Sequence, residues 1–126
     1  MKSKYLLVLL SMASLMLGSQ SALAASAAVR EMAGIMLHLS HYPSHDEKAR
    51  LKSIAVDRSS TEQERVIAAA IANLEHRVAA GDADKLRKVT SDMSAPAEVR
   101  ELAGIVLNVN HKPSAADKGK LEAMMK

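Results

Sequence analysis

Cysteine is absent from this chain of 126 residues, as are phenylalanine and tryptophan, and its aromatic rings come from two tyrosines alone. Without cysteine there can be no disulfide scaffold, no thiolate nucleophile and no lipid anchor on a cysteine. The sequence also lacks the Gly-x-Ser-x-Gly elbow, the His-Glu-x-x-His pair and a phosphate-binding glycine loop. We therefore expect a protein that is not an enzyme, with a core of Leu, Ile, Val, Met and Ala.

The N-terminus has the pattern of a secretory signal peptide. Lys2 and Lys4 precede an apolar run of 13 residues over 5–17, and Ala22 and Ala24 frame a small-x-small cleavage site. The run is shorter than the ~20 residues that cross a bilayer. We expect residues 1–24 to be cleaved, leaving a periplasmic or secreted protein without a membrane span; an uncleaved anchor is the alternative.

The charge of the remaining chain is close to neutral. Two of the 17 Lys and Arg lie in the predicted signal peptide, whereas all 14 Asp and Glu follow it, so residues 25–126 carry a net charge of +1. Nucleic-acid binding normally requires a basic patch, often interleaved with aromatic residues. Neither is present, so we expect no nucleic-acid partner.

An internal repeat dominates residues 25–126, which we expect to form one domain. Residues 29–54 match residues 99–124 at 12 of 26 positions, an offset of 70. Half that offset reveals a weaker third copy between them, so the predicted units are about 25–59, 60–94 and 95–126. Identical residues recur in all three units at the positions of Arg30, Ala33, His41 and Leu51.

Apolar residues at spacings of three and four predict two helices, A and B, in each unit. Pro43 and Pro113 should end the first and third A helices. Val78 replaces the proline in the middle unit, so its A helix should run on toward Gly81. The predicted A helices span about 27–40, 61–79 and 96–109, and the predicted B helices about 45–56, 82–91 and 115–125.

The 35-residue period resembles the tandem helical-hairpin class, which includes tetratricopeptide and HEAT-like repeats. The resemblance is one of architecture, because the aromatic landmarks of the tetratricopeptide consensus are absent. It implies an all-α fold of three tandem hairpins, six short helices in all, stacked as a right-handed HEAT-like α-solenoid. A compact six-helix bundle is the alternative.

Each A helix carries an arginine and a histidine outside its apolar arc, and these residues predict an interaction strip for an anionic or hydrogen-bonding protein partner. The strip consists of Arg30, His41, Arg65, His76, Arg100 and His111. The same residues also suit a structural role. In that interpretation the histidines pair with acids of the next helix, as His41–Glu47, His76–Asp82 and His111–Asp117. The arginines of the first two units pair with acids as Arg30–Asp57 and Arg65–Asp92.

The strongest metal-binding signal is a cluster of three histidines, His38, His41 and His45, with Asp46 and Glu47 beside them. Neutral imidazole binds zinc, copper and nickel. A site shared by the three repeated histidines is not expected, because stacked helices lie ~8–10 Å apart and a metal needs its nitrogens at ~2.0–2.1 Å. Those positions converge only if the array curls sharply.

These features favour a small exported interaction module without an enzymatic activity or a bound cofactor. The alternative function is a periplasmic metal-binding or metal-handling protein that uses His38, His41 and His45.

Overall fold

Six short α-helices and no strand make up residues 25–126, the part of the chain that the computed structural model describes. The predicted signal peptide lies outside these residues. None of the six helices has the length and apolarity required to cross a membrane. The helices are α1 (Ala27–Leu37), α2 (His45–Val56), α3 (Glu62–Ala72), α4 (Ala80–Ser91), α5 (Ala97–Asn108) and α6 (Ala115–Met124).

Side chains at the N-termini fix where several helices begin. Ser44 accepts a hydrogen bond from the backbone N–H of Glu47, and the Glu47 carboxylate accepts one from the N–H of Ser44. This capping box satisfies two backbone donors that the first helical turn leaves free, and it confirms the predicted start of α2. Thr61 and Glu64 form the same box at the start of α3.

The helices pack in a closed order. The B helices α2 and α4 pack most closely against the A helices that follow them, α3 and α5. The last B helix, α6, packs against α1, the first A helix, and α1, α3 and α5 also contact one another. The predicted all-helical architecture is confirmed. The solenoid is not confirmed, because the first and third units touch each other.

Repeated positions supply the core. The alanines at 33, 68 and 103 and the leucines at 51, 86 and 121 are fully buried. One methionine, one isoleucine and one valine occupy the equivalent buried positions Met36, Ile71 and Val106. Small side chains on the A helices allow close approach of their backbones, which brings the three C-terminal turns of these helices to one end of the molecule.

The middle unit departs from its predicted boundaries. α3 ends at Ala72, and Asn73 is its C-cap, so the predicted extension toward Gly81 is wrong. α4 begins at Ala80, after an N-cap residue, Ala79, that makes no side-chain capping bond. Proline is therefore unnecessary for this turn, which is held instead by the hydrogen bonds of the neighbouring turns.

Candidate metal centre

The turn after each A helix has a histidine at its tip with an unusual backbone conformation. His41, His76 and His111 have φ angles of 71°, 64° and 69°, and no other residue of 25–126 has a positive φ. In the first turn Tyr42 donates its N–H to the carbonyl oxygen of Ser40 across 2.9 Å. A hydrogen bond between residues two apart, around a residue with positive φ, marks a classic γ-turn, which is rare and strained.

Backbone hydrogen bonds join the three tips in a ring. The N–H of His41 donates to the carbonyl of His111 (2.6 Å), that of His76 to His41 (2.6 Å), and that of His111 to His76 (2.7 Å). Each histidine therefore donates once and accepts once. The ring places the three Cα atoms around a common axis and compensates for the strain, which costs roughly 1–3 kcal/mol per residue.

The three imidazoles meet above this ring. Their ring centroids lie 4.8–5.0 Å apart, all three side chains are exposed, and one ring nitrogen from each lies within 4.8 Å of the others. The prediction that His41, His76 and His111 would lie too far apart to share a metal ion is wrong. It assumed helices stacked in an open row, whereas the first and third units close on each other.

The spacing suits one metal ion. The Nδ1 atoms of His41 and His76 lie 3.1 Å apart. Two nitrogens bound tetrahedrally at ~2.0–2.1 Å from zinc are separated by about 3.3 Å. An ion bound by both rings would take the lone pairs of the two Nδ1 atoms, with the proton of each neutral ring on Nε2.

His111 is oriented by its neighbour. Its Nδ1 lies 2.8 Å from Oδ1 of Asn110, and that oxygen also accepts a hydrogen bond from Nε of Arg77 (3.3 Å). The Nε–H of Arg77 can only donate, so the Asn110 atom that it contacts is the amide oxygen. That oxygen also faces Nδ1 of His111, which therefore carries the proton. Its Nε2 lone pair is then the one available to a metal, an arrangement common among metal-binding histidines.

Comparison with protein families, with curated proteins and with solved structures finds no match for this chain. The geometry of the site is therefore the basis for its interpretation.

His38 and His45 do not join the cluster. Among residues 25–126, the group of three or more His, Cys, Asp or Glu side chains with a common metal-binding spacing is His41, His76 and His111. His38 is the C-cap of α1, and His45 is the first residue of α2; both are exposed. Of the three histidines singled out as a local cluster, the structure brings His41 alone to the centre.

The arginines of the predicted strip lie at the other end of the A helices. Arg30, Arg65 and Arg100 are in or near the first turns of α1, α3 and α5. Each donates a side-chain hydrogen bond to the backbone carbonyl five residues earlier, at Ala25, Ser60 and Ala95. The arginines thus tie down the segment that enters each A helix, at the end of the helix opposite its histidine.

The predicted ion pairs within the hairpins are replaced by other contacts. Within residues 25–126 the ion pairs are Arg50–Glu31, Arg87–Asp84 and Lys120–Asp117, and none joins a repeated histidine or arginine to its expected acid. Asp57, the acid expected to pair with Arg30, instead accepts hydrogen bonds within its own turn. Asp92, the acid expected to pair with Arg65, accepts them from its own turn and from Gln63 of α3.

These two aspartates organise the turns between units. Backbone and side-chain hydrogen bonds from Ser59 lower the pKa of Asp57. The side chains of Ser94 and Gln63, with the backbone N–H of Ser94, lower the pKa of Asp92. Both carboxylates are therefore held in the charged form by donors that stabilise the negative charge.

The three histidines stand out in the sequence because they recur, but their convergence was not predicted. The available signal was histidine itself, at the same place in three turns. Apart from glycine, asparagine, aspartate and histidine are the residues enriched at positive φ. A polar residue in such a turn, repeated in every unit of a closed ring, lies on the axis of that ring.

Proposed function

We propose that this protein is a small exported metal-binding protein without an enzymatic activity, built from three 35-residue units that close into a ring. One divalent transition-metal ion binds to His41, His76 and His111, one ligand from each unit. The observation that carries this proposal is the approach of three ring nitrogens to within 4.8 Å of one another on strained turns. Backbone strain concentrates at functional sites, where the surrounding fold maintains it.

The donor set favours zinc, copper or nickel. Imidazole nitrogen binds these ions well, whereas calcium and magnesium prefer oxygen ligands. Three histidines are also the ligand set of zinc sites that leave a fourth position for water or another molecule. The proposal thus keeps the alternative function predicted from the sequence, metal binding, but His76 and His111 replace His38 and His45 as ligands.

Metal titration of the protein without an affinity tag tests the proposal. Calorimetry with zinc, copper and nickel should give one ion per chain. His76→Ala and His111→Ala should each weaken binding by at least tenfold, the loss expected when one of three ligands disappears. Binding should also raise the midpoint of thermal unfolding, because an ion bound only by the folded chain stabilises it by ~2.7 kcal/mol at 100 times its dissociation constant.

Two neighbouring histidines provide matched controls. His38→Ala and His45→Ala remove exposed imidazoles within four residues of His41 in the sequence, so they should leave affinity and stoichiometry unchanged. If these two variants lose the metal while His76→Ala and His111→Ala retain it, the ligands are the local cluster His38, His41 and His45. If the unaltered protein binds none of the three ions, the proposed function is wrong.

The second candidate function is a protein-interaction module. The arginines of the predicted interaction strip already donate hydrogen bonds to backbone carbonyls at the start of each A helix. We therefore place the metal centre first.

A further inference from the structure

The proposed metal centre is open on one side. The backbone N–H and C=O groups of its three histidines are used in the hydrogen-bonded ring, so the turns beneath the imidazoles offer no further ligand. All three side chains are exposed, and within residues 25–126 no carboxylate has a ligand spacing with them. An ion held by three ligands from one side retains coordination positions that face solvent.

Two of the three residues that directly follow the histidines in the sequence carry a positive charge. The three residues are Tyr42, Arg77 and Lys112, one from each unit, and all are exposed. Arg77 is held beside the His111 ring through the Asn110 side chain. The ammonium group of Lys48 lies 5.8 Å from the centre of the Tyr42 ring, so a third cation lies beside the residue that follows His41.

An acidic residue directly precedes one of the three histidines. Glu75, the residue before His76, occupies the position that Ser40 and Asn110 hold in the other units, and it is exposed. Three neutral imidazoles leave the full charge of a divalent ion uncompensated, so the site has a strong field for anions. The single charge of the Glu75 carboxylate does not balance a divalent ion.

We propose that the solvent-facing position of the bound ion takes a small free oxyanion, such as phosphate, bicarbonate or acetate, and that Arg77 and Lys112 attract it. This inference rests on the proposed metal centre. The ion supplies the direct bond to the anion oxygen. The two cations raise the local anion concentration and stabilise the bound charge.

Cobalt(II) in place of the native ion gives a direct readout. Its visible spectrum depends on the number and kind of its ligands, so metal binding and anion binding are seen as separate changes. Titration of the cobalt-loaded protein with phosphate, bicarbonate or acetate should shift the spectrum and reach saturation. Arg77→Gln and Lys112→Gln should each weaken the anion affinity about threefold, the scale of an exposed charge interaction, and more at low salt.

Three controls sharpen the test. Lys52→Gln removes an exposed cation from α2 and should leave the anion affinity unchanged. The cobalt affinity of each variant is measured without added anion, so that an altered metal site is recognised. Sedimentation of the anion-loaded protein should give the same mass as the anion-free protein, because the ligand is a free anion and not a carboxylate from a second chain.

The possible results distinguish a failure of anion binding from a failure of metal binding. If cobalt binds but no anion changes its spectrum, the inference is overturned and the metal centre stands. If Glu75→Gln creates an anion response that the unaltered protein lacks, Glu75 fills the open position and the inference is also wrong. If no cobalt spectrum develops, the proposed function itself fails.

Discussion

The backbone N–H of His76 lies 2.6 Å from the carbonyl oxygen of His41, a residue 35 positions earlier in the chain. This bond links two turns that share no helix, and its counterparts at His111 complete the ring. The turns can therefore adopt a conformation that none would hold alone.

Replacement of His76 by glycine should leave the protein more stable than replacement by alanine. The position has a φ of 64°, where an L-residue pays roughly 1–2 kcal/mol that glycine does not. We expect His76→Gly to have a free energy of unfolding about 1 kcal/mol higher than His76→Ala, measured by urea denaturation in the absence of metal. At His38, where φ is −99°, glycine should gain nothing over alanine. Equal stabilities of the two His76 variants would contradict the strained turn.

Glu64 should contribute more to stability than its counterpart Glu47. Glu64 is buried, and its carboxylate accepts hydrogen bonds from the Ser26 hydroxyl and the Thr61 backbone N–H. Glu64→Ala leaves both donors without their acceptor and should cost ~1–3 kcal/mol in urea denaturation. Glu47→Ala removes a more exposed capping box and should cost less than ~1 kcal/mol. Equal losses would show that the link from Ser26 to Glu64 adds nothing.

The aspartates between units should make stability depend on pH. The pKa of Asp57 and that of Asp92 are lowered in the folded protein, so their contribution is present above the ordinary aspartate pKa and lost as pH falls through the lowered one. Ser59→Ala removes the side-chain donor, so it should lower the urea midpoint at about pH 7, and this loss should shrink as pH falls below the ordinary aspartate pKa. Ser53→Ala is the control, because that hydroxyl donates to the Ala49 carbonyl and its effect should not change with pH. A Ser59→Ala defect that persists in acid would contradict this account.

Replacement of a helical glycine by alanine should stabilise the protein more at position 104 than at position 34. Gly104 lies within α5, its φ is not positive, and a Cβ built there meets no heavy atom within 4 Å. Gly104→Ala should raise the free energy of unfolding by about 0.5–1 kcal/mol through helix propensity. Gly34→Ala should gain less, because a Cβ there lies 3.3 Å from Cε of Met125. A larger gain at Gly34 than at Gly104 would show that Met125 does not occupy this space.

Local features of the fold were predictable from the sequence. The period of 35, the helical spacing of apolar residues and the Ser44–Glu47 box depend on residues near one another in the chain. The end of α3 has one local signal, the C-cap residue Asn73, but its turn lacks the proline that stands in the turns after α1 and α5. The turn after Ala72 is fixed by bonds from His76 to His41 and His111, which belong to other units.

In the candidate site, too, the local features were predictable and the contacts between units were not. His41, His76 and His111 stood out because they recur, and the chemistry of imidazole suggested a metal. Their convergence depends on the contact of α1 with α6, whose sequence separation exceeds that of every other neighbouring pair of helices. Neither periodicity nor capping encodes this contact.

The contact of α1 with α6 joins the two contacting helices that lie farthest apart in the chain. α2 with α3, and α4 with α5, are neighbours in the chain and close short loops, whereas α1 meets α6 across nearly the whole domain, an entropically more costly closure. His41 and His111 lie in the first and third units, so the three imidazoles meet only in a chain whose first and third units are in contact. A bound ion would therefore distinguish chains that have completed the ring from those that have not.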